Sequence, residues 1–241
     1  MLMSVIEGAL SAPAYPDLAG KRVLLTGVRR GCGVDIARAF ADHRARLAVQ
    51  FAETGPAMDA VAEVVAPAAL EMQAYGPVGA GADKAAELAR SAVQAFGGLD
   101  VVVNIVPLET AHLDPAATPG DVDRLIAAQL ELPLLISRIA ANRMSVTWTQ
   151  GLVLNVATLW GRPGGARQAF ATLAKSTLVD MTRAQAEEWA GRGIRFNAIA
   201  PQTLPAGPGP NLSGEADVAS VALYLASEHG KALSGCVFEA A

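Results

Sequence analysis

The sequence predicts a doubly wound α/β fold, and three observations carry that prediction. Short apolar runs alternate with longer helical patterns along the chain, which implies parallel strands joined by crossover helices. A glycine-rich stretch, Thr26-Gly27-Val28-Arg29-Arg30-Gly31-Cys32-Gly33, falls between the first apolar run and the first helical pattern. Bare backbone at such a turn, with N–H groups at a helix start, is suited to a pyrophosphate. Finally, 241 residues of which 52% are hydrophobic can bury one substantial core. Residues 1–17 read as an N-terminal extension and 18–241 as a single domain.

The elements follow in order. Strands are expected at Arg22–Thr26, Arg46–Phe51, Leu70–Ala74, Val101–Asn104, Leu152–Ala157, Arg195–Ala200 and Cys236–Glu239. These make a parallel sheet of about seven strands. Helices are expected at Gly33–His43, Pro56–Ala66, Asp83–Phe96, Asp121–Arg143, Gln168–Ala190 and Glu215–Glu228, lying on both faces. The ligand crevice then falls at the carboxyl ends of the strands, where strand order reverses. The stretch Pro205-Ala206-Gly207-Pro208-Gly209-Pro210 can be neither helix nor central strand.

Composition excludes several classes. The 19 basic and 23 acidic side chains offer no broad basic field for nucleic acid or anionic lipid. Cys32 and Cys236 are too few for a disulfide framework and have no metal-ligand spacing; His43 and His229 near helix ends suggest no metal either. The apolar pattern Leu125 to Ala141 is interrupted by Gln129, Glu131, Pro133 and Arg138, so no membrane span is expected, and the location expected is cytoplasmic.

The spacing TGxxxGxG resembles that of the short-chain dehydrogenase/reductase family, and further matches follow in that family's order. They are Phe96-Gly97-Gly98-Leu99-Asp100 running into Val101-Val102-Val103-Asn104, then Gly151-Leu152-Val153-Leu154-Asn155-Val156, then Gly193-Ile194-Arg195-Phe196-Asn197-Ala198-Ile199-Ala200-Pro201. The resemblance implies a Rossmann-type sheet, a nicotinamide dinucleotide and a serine, tyrosine and lysine converging on one substrate oxygen. It also implies that Thr26, Gly27, Gly31, Gly33 and Asn104 lie along the cofactor and that Lys175 holds the nicotinamide ribose. Arg30 matches the basic residue that NADP-preferring members place against the 2′-phosphate, and no acidic residue stands at the NAD-selecting position, Phe51.

The catalytic positions depart from the family. Thr158 falls at the serine, Ala171 at the tyrosine and Lys175 at the lysine one helical turn later. Threonine keeps a hydroxyl, whereas alanine transfers no proton. The asparagine of the fourth long helix is Gln129, the family's Asn-Asn-Ala-Gly is Asn104-Ile105-Val106-Pro107, and Pro-Gly becomes Pro201-Gln202. The lid that usually follows is expected to be short. His112, with Glu109 in the loop after the fourth strand, is a candidate substitute acid.

Three functions are compatible with this set. The first is a non-catalytic subunit that assembles with itself or with an active paralogue, through the helices starting near Asp121 and Gln168; Leu173, Leu178, Val179 and Met181 supply the seam. The second is an NADP-dependent reductase with a non-standard proton donor. The third is a dinucleotide-binding regulator. The cofactor expected is NADP(H) bound weakly, or none.

Overall fold

A computed structural model describes residues 15–29, 31–79, 81–108, 118–158, 166–201 and 215–240. Seven strands occupy β1 (Arg22–Val28), β2 (Arg46–Phe51), β3 (Glu71–Tyr75), β4 (Val101–Pro107), β5 (Leu152–Thr158), β6 (Arg195–Pro201) and β7 (Val237–Ala240). The helices are α1 (Cys32–Asp42), α2 (Pro56–Val65), α3 (Ala82–Phe96), α4 (Pro119–Val146), α5 (Ala166–Trp189) and α6 (Glu215–Ala226). All strands pair in parallel in the order β3-β2-β1-β4-β5-β6-β7. Order therefore reverses between β1 and β4, the topological switch point of a Rossmann-type fold.

Both faces of the sheet are covered, which is why its central strands are apolar almost throughout. Val23, Leu25, Val103, Leu154 and Ile199 point to one core, packed with Ile36 and Phe40 of α1 and Ala222 and Leu225 of α6. Leu24, Val102, Val153 and Phe196 point to the other, with Leu88 of α3, Ile136 and Met144 of α4 and Trp189 of α5. The alternation within each strand is the period-two geometry of a pleated chain.

Local chemistry fixes where helices begin. Thr118 and Asp121 form a reciprocal capping box at the start of α4: the Asp121 N–H donates to the Thr118 hydroxyl and the Thr118 N–H to the Asp121 carboxylate, with Pro119 at the first helical position. Further along, Pro133 has no N–H to close on the Gln129 carbonyl, so the helix tolerates it only by losing that bond. By length and composition α4 meets the requirement for a membrane span, which the interrupting polar residues had argued against. In this fold its buried face, including Leu130, Ile136, Ala140 and Met144, is packed into the protein core.

One ion pair ties the amino ends of β1 and β4 together. Arg22 Nε donates to Asp100 Oδ2 at 2.9 Å and its Nη2 to Oδ1 at 2.6 Å, a two-point grip, and the Arg22 N–H adds a third bond at 2.9 Å. Burial alone would push the Asp100 carboxyl up; the bonds from Arg22 and the charges of Arg22 and Lys21 outweigh it and hold the carboxyl below its usual value. A depressed folded value means the stabilisation is complete above the unfolded value and is lost as pH falls through the folded one. We therefore expect Asp100→Asn to destabilise by about 1.5–3 kcal/mol at neutral pH, with the difference from wild type shrinking below about pH 4. Urea titrations of both proteins at pH 7 and pH 3 check this.

Candidate functional site

The crevice expected for a ligand lies above the carboxyl ends of β1, β4 and β5. Near the carboxyl end of β1, where its register with β2 shifts between Leu25 and Val28, Gly27 has a φ of 70°, in the left-handed region that favours glycine. A Cβ there would run into the carbonyl oxygen of Ile105 on β4. The close approach that glycine permits is thus used by a neighbouring strand. The Gly27 N–H donates to Gln50 Oε1 at 2.8 Å, and Gln50 Nε2 donates onward to the Phe51 and Gly76 carbonyls. Helix α1 starts on Gly31, with no side-chain cap, and at Gly33 a Cβ would stand 3.0 Å from Ile105 Cδ1. Arg30 lies outside the described residues.

Thr26 and Asn104 meet, but inside the sheet. The Thr26 hydroxyl donates to Asn104 Oδ1 at 2.9 Å; Asn104 Nδ2 donates to Asn155 Oδ1 at 2.9 Å and to Ser137 Oγ at 3.0 Å. Asn155 Nδ2 then donates to Thr182 Oγ1 at 2.9 Å, and the Thr182 hydroxyl closes on the Leu178 carbonyl. All five side chains are buried, so the chain of bonds crosslinks β1, β4, β5, α4 and α5 away from water. Ser137, Thr182 and Gln50 were not foreseen. The signal available was Asn155, a lone amide inside the apolar run Leu152–Val156, where an unpartnered polar group would be costly.

An apolar floor is built from residues next in sequence to the positions expected to be catalytic, Ala157, Phe170 and Ala174 among them. Val106, Leu108, Leu130, Ala157, Phe170, Ala174, Leu178 and Ala200 form one buried cluster at the carboxyl ends of β4, β5 and β6. Ala171, where the resemblance leads one to expect tyrosine, has 0% exposure. Thr158 ends β5 opposite Pro107, half-buried, and its carbonyl accepts from the Leu108 N–H. Lys175 turns to β7, where its Nζ lies 2.7 Å from Glu239 Oε1. Among the described residues no hydrogen bond joins Thr158 to Lys175. Gln129 lies half-buried in α4. Gln202, the short lid, His112 and Glu109 all lie outside the described residues.

The seam reading of α5 needs correction. Leu178 is fully buried in the apolar floor and is a core residue; Val179 and Met181 are half-buried, and Leu173 alone of the four is exposed. The spacing of apolar residues marks a helix face but does not say which neighbour covers it. Here the sheet's carboxyl end covers Leu178.

In the family that the sequence resembles, a nicotinamide dinucleotide would lie along the turn, past β4, to the lysine. The described residues do not fit it there. The Gly27 N–H is held by Gln50, the side chain of Ile105 is packed against Gly33, Val106 is sealed in the apolar floor, and Lys175 is paired with Glu239. Among the described residues no cluster of side chains suited to a metal ion is present.

Comparison with known proteins places the fold. The model of the short chain dehydrogenase family matches residues 21–207. A 3-oxoacyl-(acyl-carrier-protein) reductase of Staphylococcus aureus is 27% identical, over 89% of this chain and 94% of that protein. An uncharacterized oxidoreductase of Thermotoga maritima is 28% identical, over 78% of this chain and 73% of that one. Among solved structures, a short-chain dehydrogenase/reductase from Serratia marcescens superposes with a TM-score of 0.76 at 25% identity, covering 92% of this chain and 96% of that one. A putative short-chain alcohol dehydrogenase from Sinorhizobium meliloti gives 0.77 at 26% identity, covering 94% and 96%. Strand order, glycine turn and the match across most of the sequence agree, and the chain belongs to the short-chain dehydrogenase family.

Proposed function

We propose that this protein is a family member that has lost ordinary hydride transfer and keeps the fold as an assembly subunit, with itself or with an active paralogue. The observation that carries this reading is the burial of Ala171 beside an apolar floor where the family places a proton-transferring tyrosine. A lysine serves catalysis by lowering that tyrosine's pKa and holding the ribose; Lys175 instead braces α5 against β7. Loss of chemistry leaves an apolar helix surface its reason to associate, because burial depends on area rather than on the reacting groups. Leu173, exposed on α5, is one residue such an interface would cover. A cytoplasmic location accompanies the proposal.

A second reading is an NADP-dependent oxidoreductase that draws its proton from Thr158 or water. The retained strand, glycine turn and helix unit, with the left-handed Gly27, favours it. In that reading NADP(H) binds weakly through the turn. The same unit would serve a dinucleotide-binding regulator.

One set of measurements separates these. Losing a general acid typically removes about 10²–10⁴ of rate, so purified protein should turn over acetoacetyl thioesters and simple ketones far below about 1 s⁻¹ with NADPH or NADH. Light scattering should show a dimer or larger, or native purification should recover a dehydrogenase alongside it. Turnover of about 1 s⁻¹ or more would overturn the non-catalytic reading, and a partnerless monomer would remove the assembly role.

A further inference from the structure

A cavity of about 320 Å³ opens at the amino ends of β1, β4, β5 and β6, on the opposite side of the sheet from the ligand crevice. Its lining includes Lys21, Asp100, Gln150, Arg195, Ser227, Glu228 and Lys231. Its charges are unequally matched. Asp100 is held by the two-point grip of Arg22, and Glu228 is paired with Lys231. Lys21 and Arg195 are left without a carboxylate at ion-pair distance among the described residues.

Arg195 is the more unusual of the two. Its Nη1 donates to the Gly230 carbonyl at 2.9 Å and the Leu233 carbonyl at 3.3 Å, and its Nη2 to the Leu225 carbonyl at 2.9 Å. Those bonds orient the guanidinium and use three of its five N–H donors, leaving two. Burial pushes its pKa down, the charge of Glu228 opposing this only in part. A fixed, partly desolvated cation with spare donors stabilises an anion more than a solvated one does, because the protein has already borne the cost of orienting it. Lys21 adds a second positive charge on a mobile stem, and the Gln150 amide and Ser227 hydroxyl add polar groups to the lining.

We propose that this cavity is a binding site for a small oxyanion of the phosphate class, held between Lys21 and Arg195. Its volume is at the lower end of small-molecule sites, which suits inorganic phosphate or a small phosphomonoester and excludes a dinucleotide. The site is independent of the glycine turn, since the two lie at opposite ends of the strands.

Thermal unfolding and calorimetry with inorganic phosphate and with glycerol 3-phosphate, at ionic strength matched with sodium chloride, test the proposal. At concentrations well above Kd, either probe should raise Tm by roughly 2–4 °C or more in wild type. Lys21→Gln should weaken binding about tenfold while leaving the ligand-free Tm nearly unchanged, because among the described residues the Lys21 side chain makes no hydrogen bond or ion pair, its backbone bonds survive the change, and its charge is the smallest of the influences on Asp100; Lys21→Arg should retain binding. Response to the free anion alone identifies inorganic phosphate as the source, and tighter binding of the ester identifies a phosphorylated small molecule. No rise above the chloride control, or equal binding by wild type and Lys21→Gln, as an anion on the glycine turn would give, overturns it.

Discussion

Ala171→Tyr is expected to destabilise the protein by about 1–3 kcal/mol, roughly 2–4 °C of Tm per kcal/mol, and to restore no ketoreductase activity. The substituted carbon is wholly buried, with the neighbouring Phe170 and Ala174 part of the packed floor. A phenol forced into that packing displaces neighbours and needs a partner for its hydroxyl. Even a tyrosine that escaped upward would find the lysine engaged, since Lys175 Nζ sits 2.7 Å from Glu239. Adding Glu239→Gln frees the lysine but leaves Ile105 and Val106 across the cofactor path, so the double variant should be inactive as well. Denaturant melts and an NADPH consumption assay measure both effects. A variant as stable as wild type that reduces a ketone at about 1 s⁻¹ would show that the floor is soft and the site merely lacks its acid.

Asn155→Ala should cost about 2–4 kcal/mol, which is large for a residue that touches no ligand. The substitution removes two bonds, from Asn104 and to Thr182, leaves their buried atoms less satisfied, and opens a small void. Asn104 still reaches Ser137, so the loss is partial. Because both amides share one network, Asn104→Ala and Asn155→Ala should combine non-additively, with a coupling of about 0.5–3 kcal/mol. Urea unfolding of the two single variants and the double variant gives the cycle. Strict additivity, with each single change below about 1 kcal/mol, would mean that the buried bonds contribute little net stability.

The α/β class, the parallel sheet and the seven strands were legible in the sequence because they depend on periodicity and on where apolar runs are broken. Strand β2 falls at Arg46–Phe51 as read, and the others differ by a few residues at their ends. The extra length of β4, to Pro107, shows why ends are harder. Ile105 and Val106 continue the ladder with β5 because Val156 and Ala157 stand opposite, and that pairing is a property of two strands together.

The residues expected at the catalytic positions, Thr158, Ala171 and Lys175, come from counting along the chain against the family that the sequence resembles. What those side chains do was decided by the tertiary structure. Lys175 could reach a ribose or a carboxylate with equal ease, and Glu239, sixty-four residues away, takes it. Asn104 carries the same amide whether it faces a cofactor or a core; Asn155 and Ser137 draw it inward. Leu178 has the spacing of a seam residue and is floor instead. Sequence sets which groups a segment offers, because covalent order and helical or pleated periodicity are local. Partners are chosen where distant segments meet, and burial then settles which bond satisfies each group.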